Sequence, residues 1–362
     1  MKELEALRRP AEEDYRTEID ALISAEKDDI PEGWRMSPRS VLTYVAGGKA
    51  KGVDISPKYI GHKRLVEISI ATLLTDRGLL LMGEPGTAKS WLSEHLAAAI
   101  CGDSTKVVQG TMGTTEEQIK YSWNYALLIA HGPSNEALVR TPIWRAMETG
   151  SIARFEEISR APSEVQDALI SLLSEKCIAI PELAETLRAE RGFALIATAN
   201  TRDKGVNDMS AALKRRFNMV ILPAPATRDA EVEIVSRRTA QLSASLKLKA
   251  EAPAAHAVEK VVTIFRELRM GQTLDGKEKV KSPSSVMSTA EAISLLVNAM
   301  SLAASFGDGR VREDELAAGL LGAVVKDDEK DAVVFKDYLE NVAKKRDGDW
   351  RGLYASCREL LP

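Results

Sequence analysis

Leu79-Leu80-Leu81-Met82 is a continuous apolar run that meets glycine at once. The same texture returns at Lys106-Val107-Val108, Ile152–Phe155, Phe193–Ala199 and Met219–Leu222. Short runs without polar alternation suit strands buried on both faces of a parallel sheet. Between them, residues 62–75, 89–101, 163–175 and 208–216 carry helix patterns. Strands alternating with helices predict a parallel α/β sheet with right-handed crossovers. After Pro223-Ala224-Pro225 the strand texture stops, and residues 227–243, 254–269, 284–305 and 312–326 read as helices. Residues 271–283 form a polar loop, and 328–361 hold one or two further helices. At the other end, residues 1–30 are highly charged, with apolar positions at Leu4, Leu7, Ile19, Leu22 and Ile23. They read as a solvent-exposed helical segment that ends in a turn near Pro31. Residues 37–46 read as a short helix and 47–52 as a linker. The expected organisation is an N-terminal helical appendage at 1–55 without a core of its own, an α/β domain at 56–225 and an all-α domain at 226–362.

Composition narrows this picture without changing it. A length of 362 residues suits about two domains, and 44% hydrophobic with 28% charged residues is ordinary for a soluble globular chain. Forty-nine basic against 53 acidic residues leave a net charge of −4, so a nucleic-acid partner is not expected. Cys101, Cys177 and Cys357 stand far apart, and the four histidines form no HxxxH pair. That argues against a disulfide framework or a zinc site and makes a reducing cytoplasm the default compartment. No apolar stretch reaches 18 residues, so no membrane span is expected. The start, MKELEALRRPAEEDY, lacks the apolar region of a signal peptide. There are no repeats and no low-complexity tract.

The first apolar run leads into Gly83-Glu84-Pro85-Gly86-Thr87-Ala88-Lys89-Ser90-Trp91, and a helix follows. Strand, glycine-rich loop and helix are the context a Walker A phosphate loop requires. Gly83 and Gly86 let backbone N–H groups turn toward phosphate oxygens. Lys89 is placed to hold the β- and γ-phosphates, and the Ser90 hydroxyl to ligate Mg²⁺. The helix from Lys89 points its positive end at the phosphates. Ala88 replaces the usual glycine, a departure that a helical conformation there tolerates. Ile152-Ala153-Arg154-Phe155 runs into Glu156-Glu157, a Walker B-like strand end. Glu156 would support the metal, and Glu157 would take a proton from the attacking water or orient it. Arg154 is unusual in a strand buried on both faces: either one face is exposed or it pairs with an acidic neighbour. The next strand ends at Asn200, a common turn residue whose place also resembles the strand tip at which AAA+ ATPases keep a polar residue to hold that water. Arg215-Arg216-Phe217, ahead of the fifth strand, resembles the segment where AAA+ proteins keep an arginine finger, Arg216 ahead of Arg215, and taken alone reads as surface basic residues.

GEPGTAKS, FEEISRAP, IATAN and LKRRF, in this order and spacing, resemble the MoxR family of AAA+ ATPases, and Glu156 in place of Asp, the ISRAP phrase and the extra N-terminal stretch are most similar to its YehL-type branch. Arg160-Ala161-Pro162 and Gln166-Asp167-Ala168-Leu169 match further family positions, and Tyr59-Ile60-Gly61-His62 is similar to the segment that lies beside the adenine. The match covers about 56–225. It implies a P-loop AAA+ fold: a five-stranded parallel sheet with helix-2 and pre-sensor-1 hairpin inserts, at 111–142 and 177–192, followed by an all-α lid. Trp123, Tyr125 and Trp144 are then either contact aromatics or local core. The implied cofactors are ATP and Mg²⁺, with Tyr59, Ile60 and residues 83–91 around the nucleotide. The resemblance further implies a homo-oligomer, a hexameric ring in which Arg216 reaches a neighbour's site, and a partner protein with a von Willebrand factor A domain. One family position departs: Ser282-Pro283-Ser284-Ser285 opens the expected lid helix without the sensor 2 arginine, leaving Lys279, Lys281 or a neighbouring subunit's residue as substitutes. The expected activity is ATP hydrolysis driving chaperone-like remodelling. The alternatives are a nucleotide-gated scaffold that turns over slowly or not at all, and a GTP-using or nucleic-acid-associated motor of the same clade.

Overall fold

The computed structural model describes residues 6–201, 209–326 and 328–361. The chain forms two compact units: an α/β unit over Arg8–Glu84 and Ala88–Pro223, and a helical unit from Ala224 onward.

The α/β unit opens with helices α1 (Ala11–Asp14), α2 (Arg16–Ala25) and α3 (Pro38–Ala46). The Ser37 side chain caps α3 by accepting from the Ser40 N–H, with Pro38 in the first turn, where its missing N–H costs nothing. Strands β1 (Gly48–Ala50) and β2 (Val53–Ile55) then pair antiparallel, where a linker was expected. The reason is the Lys51-Gly52 turn: both residues have positive φ, 46° and 81°, which matches the twist of a two-residue hairpin.

Next come α4 (Lys63–Thr72), β3 (Gly78–Gly83), α5 (Lys89–Cys101), β4 (Val107–Gln109), β5 (Tyr121–Trp123), α6 (Tyr125–His131), β6 (Leu138–Arg140), α7 (Pro142–Glu148), β7 (Ile152–Glu156), α8 (Ser163–Glu175), β8 (Cys177–Ile180), β9 (Glu185–Arg188), β10 (Ala194–Asn200), α9 (Ala211–Lys214) and β11 (Phe217–Ile221). Five of these strands form one parallel sheet in the order β11-β3-β10-β7-β4. Each expected apolar run became one of its strands. Of the expected 208–216 helix, only α9 is helical among the described residues, and residue 208 lies outside them.

Alternation along the strands divides the core in two. Leu79, Leu81, Ile152, Ile196 and Val220 face α5, together with Leu92 and Leu96. Leu80, Phe155, Leu195 and Ala197 face the other way, onto Ile143 and Met147 of α7 and Leu169 and Leu172 of α8. Ile19, Leu22, Met36, Val41 and Tyr44 are buried in the α5-side core. The segment expected to be solvent-exposed therefore presents only part of its surface to water. Leu4 lies outside the described residues.

The two inserts are hairpins, β5 with β6 and β8 with β9. The Tyr121 hydroxyl joins them by donating to Glu182 at 2.9 Å. Of the three candidate aromatics, Trp144 is core, only 4% exposed. Trp123 is half-buried and packs edge-on to Tyr121, and Tyr125 is 61% exposed.

The helical unit contains α10 (Arg228–Ser245), α11 (Ala255–Met270), α12 (Thr289–Phe306), α13 (Glu313–Val324), α14 (Asp328–Asn341) and α15 (Trp350–Leu360) around one apolar core. The expected helix at 284–305 starts five residues later. Ser288 is its N-cap and forms a capping box with Glu291. Ser284 is drawn away instead, donating its N–H and hydroxyl to Asp331 at 2.7 Å each. Helix α12 is long and apolar enough to cross a membrane by length and composition, and Leu295, Leu296, Ala299 and Met300 bury one face in this core.

Candidate functional site

The carboxyl ends of β3, β7 and β10 converge beside the start of α5. The reason is register: Asn200 of β10 pairs with Gly83 of β3, and Ala197 with Phe155 of β7. In open parallel sheets such strand ends are where ligands bind. The loop after β3 turns on Gly86, at φ 77°, and on Ala88, at φ 64° and ψ 24°. Ala88 is therefore left-handed, not helical as expected, and the conformation costs an L-residue about 1–2 kcal/mol. Lys89 folds back, its ammonium donating to Gly83 O at 3.1 Å and Glu84 O at 2.8 Å.

The centre of the site is the Glu156 carboxylate, 5% exposed. Strand alternation puts Arg154 and Glu156 on the same face as Ile152, the face α5 covers. Ser90 and Ser93 are three residues apart on α5 and so share one side of it. Both hydroxyls meet Glu156 at 2.6 Å, Ser90 at Oε2 and Ser93 at Oε1. From β10, Thr198 donates to Oε2 at 2.7 Å. Arg154 donates to Oε1 at 2.8 Å. Arg154 is thus buried and paired with its acidic neighbour. Its remaining N–H groups reach the Ser93 hydroxyl at 3.0 Å, Ser104 O at 2.9 Å and Ser90 O at 3.1 Å. Burial pushes the Glu156 carboxyl up, but the Arg154 guanidinium and the three hydroxyls outweigh it and hold the group below its ordinary range.

Glu157 follows in a left-handed conformation, φ 54°. Its N–H donates to Thr198 Oγ1 at 3.0 Å, so one hydroxyl links β10 to both carboxylate residues. Its side chain pairs with Arg160 at 2.7 Å. Gly110, just after β4, makes this strand end possible: a Cβ there would lie 2.4 Å from Glu157 O. Ser90 and Glu156 together are a hard-oxygen donor set at the foot of the loop, which fits Mg²⁺. No group of three or more His, Cys, Asp and Glu ligands occurs among the described residues.

Tyr59 and Ile60 are held near the same helix. The Trp91 indole N–H donates to Lys58 O at 2.8 Å, and the Tyr59 N–H to Val45 O at 3.1 Å. Burial raises the Tyr59 hydroxyl above its ordinary pKa. The Lys58 ammonium pairs with Glu18 at 2.6 Å and lies 4.4 Å from the ring centres of Tyr15 and Tyr44. Arg215 and Arg216 are held elsewhere. Arg216 donates to Ser174 Oγ and to Ala212 O at 2.7 Å, while Arg215 is exposed and its carbonyl accepts from Arg77. Lys281 pairs with Asp337 inside the helical unit. The structure therefore brings together Gly83, Glu84, Lys89, Ser90, Glu156, Glu157 and Asn200, and it adds Ser93, Arg154 and Thr198, whose roles the motifs do not show.

Comparison with known proteins gives the family and the fold. The family described as AAA domain, dynein-related subfamily, matches residues 78–217. The YehL-like AAA+ ATPase C-terminal domain matches residues 229–361. The chain is 42% identical over 360 residues to YehL of Escherichia coli (strain K12), covering 98% of each. It is 27% identical over 156 residues to YojN of Bacillus subtilis (strain 168), which spans 43% of this chain and 50% of that protein. Among solved structures, NtrX from Brucella abortus in complex with ATP superposes with a TM-score of 0.50 at 15% identity, over 84% of this chain and 69% of that one. With a near full-length relative at this identity, and a P-loop at the mouth of a five-stranded parallel sheet followed by a YehL-like helical unit, the chain belongs to the YehL-type family of AAA+ proteins.

Proposed function

We propose that this protein is a Mg-ATP-dependent ATPase of the MoxR kind that works as a homo-oligomeric ring, a hexamer by resemblance, to remodel or mature a partner protein. The observation that carries the reading is the meeting of Lys89, Ser90 and Glu156 at the end of a P-loop strand, with Glu157 and Asn200 beside them. Magnesium-bound ATP supplies the phosphoanhydride to be cleaved and a cation that screens its charge. The backbone of residues 83–88 cradles the phosphates, and Trp91 fixes the Tyr59-Ile60 segment on the base side. The Lys89 ammonium exchanges its two loop carbonyls for phosphate oxygens. Ser90 and Glu156 would hold the metal. Glu157 leaves Arg160, accepts a proton from water and orients it, with Asn200 as a second hold on that water. Arg216, with Arg215 behind it, neutralises charge on the phosphates of a neighbouring subunit. A partner with a von Willebrand factor A domain completes the proposal and rests on the MoxR resemblance.

Steady-state hydrolysis with Mg²⁺, comparing ATP and GTP, tests this on wild type, Lys89→Ala, Glu157→Gln and Arg216→Ala, with solution mass measured in parallel. The expected result is ATP turnover that each change lowers at least a hundredfold, with concentration-dependent assembly. The Glu157–Arg160 ion pair favours a second reading, a nucleotide-gated scaffold whose base is engaged elsewhere. Tight nucleotide binding with no turnover, unchanged by Glu157→Gln, would establish that reading instead.

A further inference from the structure

We propose that Arg154 and Ser93 are positioning residues for the metal-side carboxylate, a role that rests on the reading of this site as a Mg-nucleotide site. A glutamate at this place is one methylene longer than an aspartate and has one more torsion to fix. Its two oxygens have different neighbours. Oε2 meets the two groups that face the loop and the sensor strand, Ser90 at 2.6 Å and Thr198 at 2.7 Å. Oε1 meets the two groups behind it, Ser93 at 2.6 Å and Arg154 at 2.8 Å. Arg154 also holds the carbonyls of Ser90 and Ser104 and the Ser93 hydroxyl, so one guanidinium ties the first turn of α5 to β7. The planar fork of arginine makes these contacts from one place, which a lysine cannot do. Anchoring Oε1 leaves Oε2 aimed at Ser90. The extra methylene and the buried arginine are thus two parts of one device. The glutamate reaches past Ser90 to Ser93, and the arginine stops it there.

The outer partners of a metal-ligating carboxylate act on metal affinity more than on the rest of the ligand. Nucleotide binding is therefore the readout, followed by fluorescence of a labelled ADP, first in EDTA and then along a Mg²⁺ titration. Ser93→Ala and Arg154→Lys are expected to bind the nucleotide in EDTA within about twofold of wild type. Each is expected to need about tenfold more Mg²⁺ for its half-maximal effect. Glu156→Asp is expected to show the same shift, and Arg154→Lys added to Glu156→Asp to add nothing, because the arginine acts through the longer side chain. Ser93→Ala removes a single oxygen, so its result stands even if the arginine variant fails to fold.

An unchanged Mg²⁺ requirement in Ser93→Ala overturns the proposal. So does an additive shift in the double variant, or an equal loss of binding in EDTA and in Mg²⁺, which marks a purely structural role. A wild-type protein that binds nucleotide with no response to Mg²⁺ overturns the Mg-nucleotide reading, and the positioning role with it.

Discussion

Glu156 brings the site's electrostatics down to one side chain. Its carboxyl is held below the ordinary value of 4.5 in the folded chain, so the folded state binds fewer protons than the unfolded one as pH falls through that range. The stability it contributes is present above pH 4.5 and lost progressively below it. Urea midpoints measured between pH 6 and pH 3 are expected to fall in that window, and the Glu156→Gln protein to show a shallower fall. Lys89, Ser90 and Glu156 were legible as candidates because the motifs specify residue type and spacing. Ser93 and Thr198 were not, because their contacts depend on which face of a helix or strand each occupies, while for Arg154 pairing with an acidic neighbour was one of two readings left open. The clue is parity. Residues 154 and 156 share a face with Ile152, as 198 and 200 share one with Ile196. Arg154 looked anomalous until Ser93 and Glu156 were seen across the same interface.

Among elements, the strands were the most readable, since a run buried on both faces needs no partner to be recognised. Helix starts were less so, because a serine that caps and a serine that binds elsewhere look alike in sequence. Ser282-Pro283-Ser284-Ser285 suggested a helix start, but Asp331 holds Ser284, and Ser288 caps α12 through its bond from the Glu291 N–H at 3.2 Å. Ser288→Ala is expected to cost about 1 kcal/mol in urea denaturation, the usual worth of an N-cap. Helix α2 was misread for a related reason. Its apolar positions are few, yet Ile19 and Leu22 are 1% and 4% exposed, because the sheet's α5-side core extends over them. A charged sequence carried a buried stripe too narrow to show in composition.

Across the whole molecule, the fold class followed from the change of texture at residue 223, and the family followed from motif order. What sequence did not show is how much charge the helical unit buries. Glu231 is fully buried there, held by Arg266 at 2.9 Å, Arg269 at 2.7 Å and the Thr289 hydroxyl at 2.8 Å. Glu267 is equally buried between Arg346 at 2.6 Å and the Tyr338 hydroxyl at 2.7 Å. Removing one member of such a cluster leaves an uncompensated charge. Glu231→Ala is therefore expected to cost about 3–5 kcal/mol in urea denaturation, more than any cap substitution.

The Lys58 ammonium, enclosed by Tyr15, Tyr44 and Glu18, constrains how this chain can vary through descent. Residues 15, 18, 44 and 58 are spread over more than forty positions, yet they share one desolvated charge. Loss of the glutamate leaves the cation with the Ser56 carbonyl and hydroxyl and the two ring faces but without its counter-charge, so substitution at one of these positions is felt at the others. The early charged helices are thereby tied to the helix that follows the P-loop, and removing them opens the wall beside Trp91 and His95.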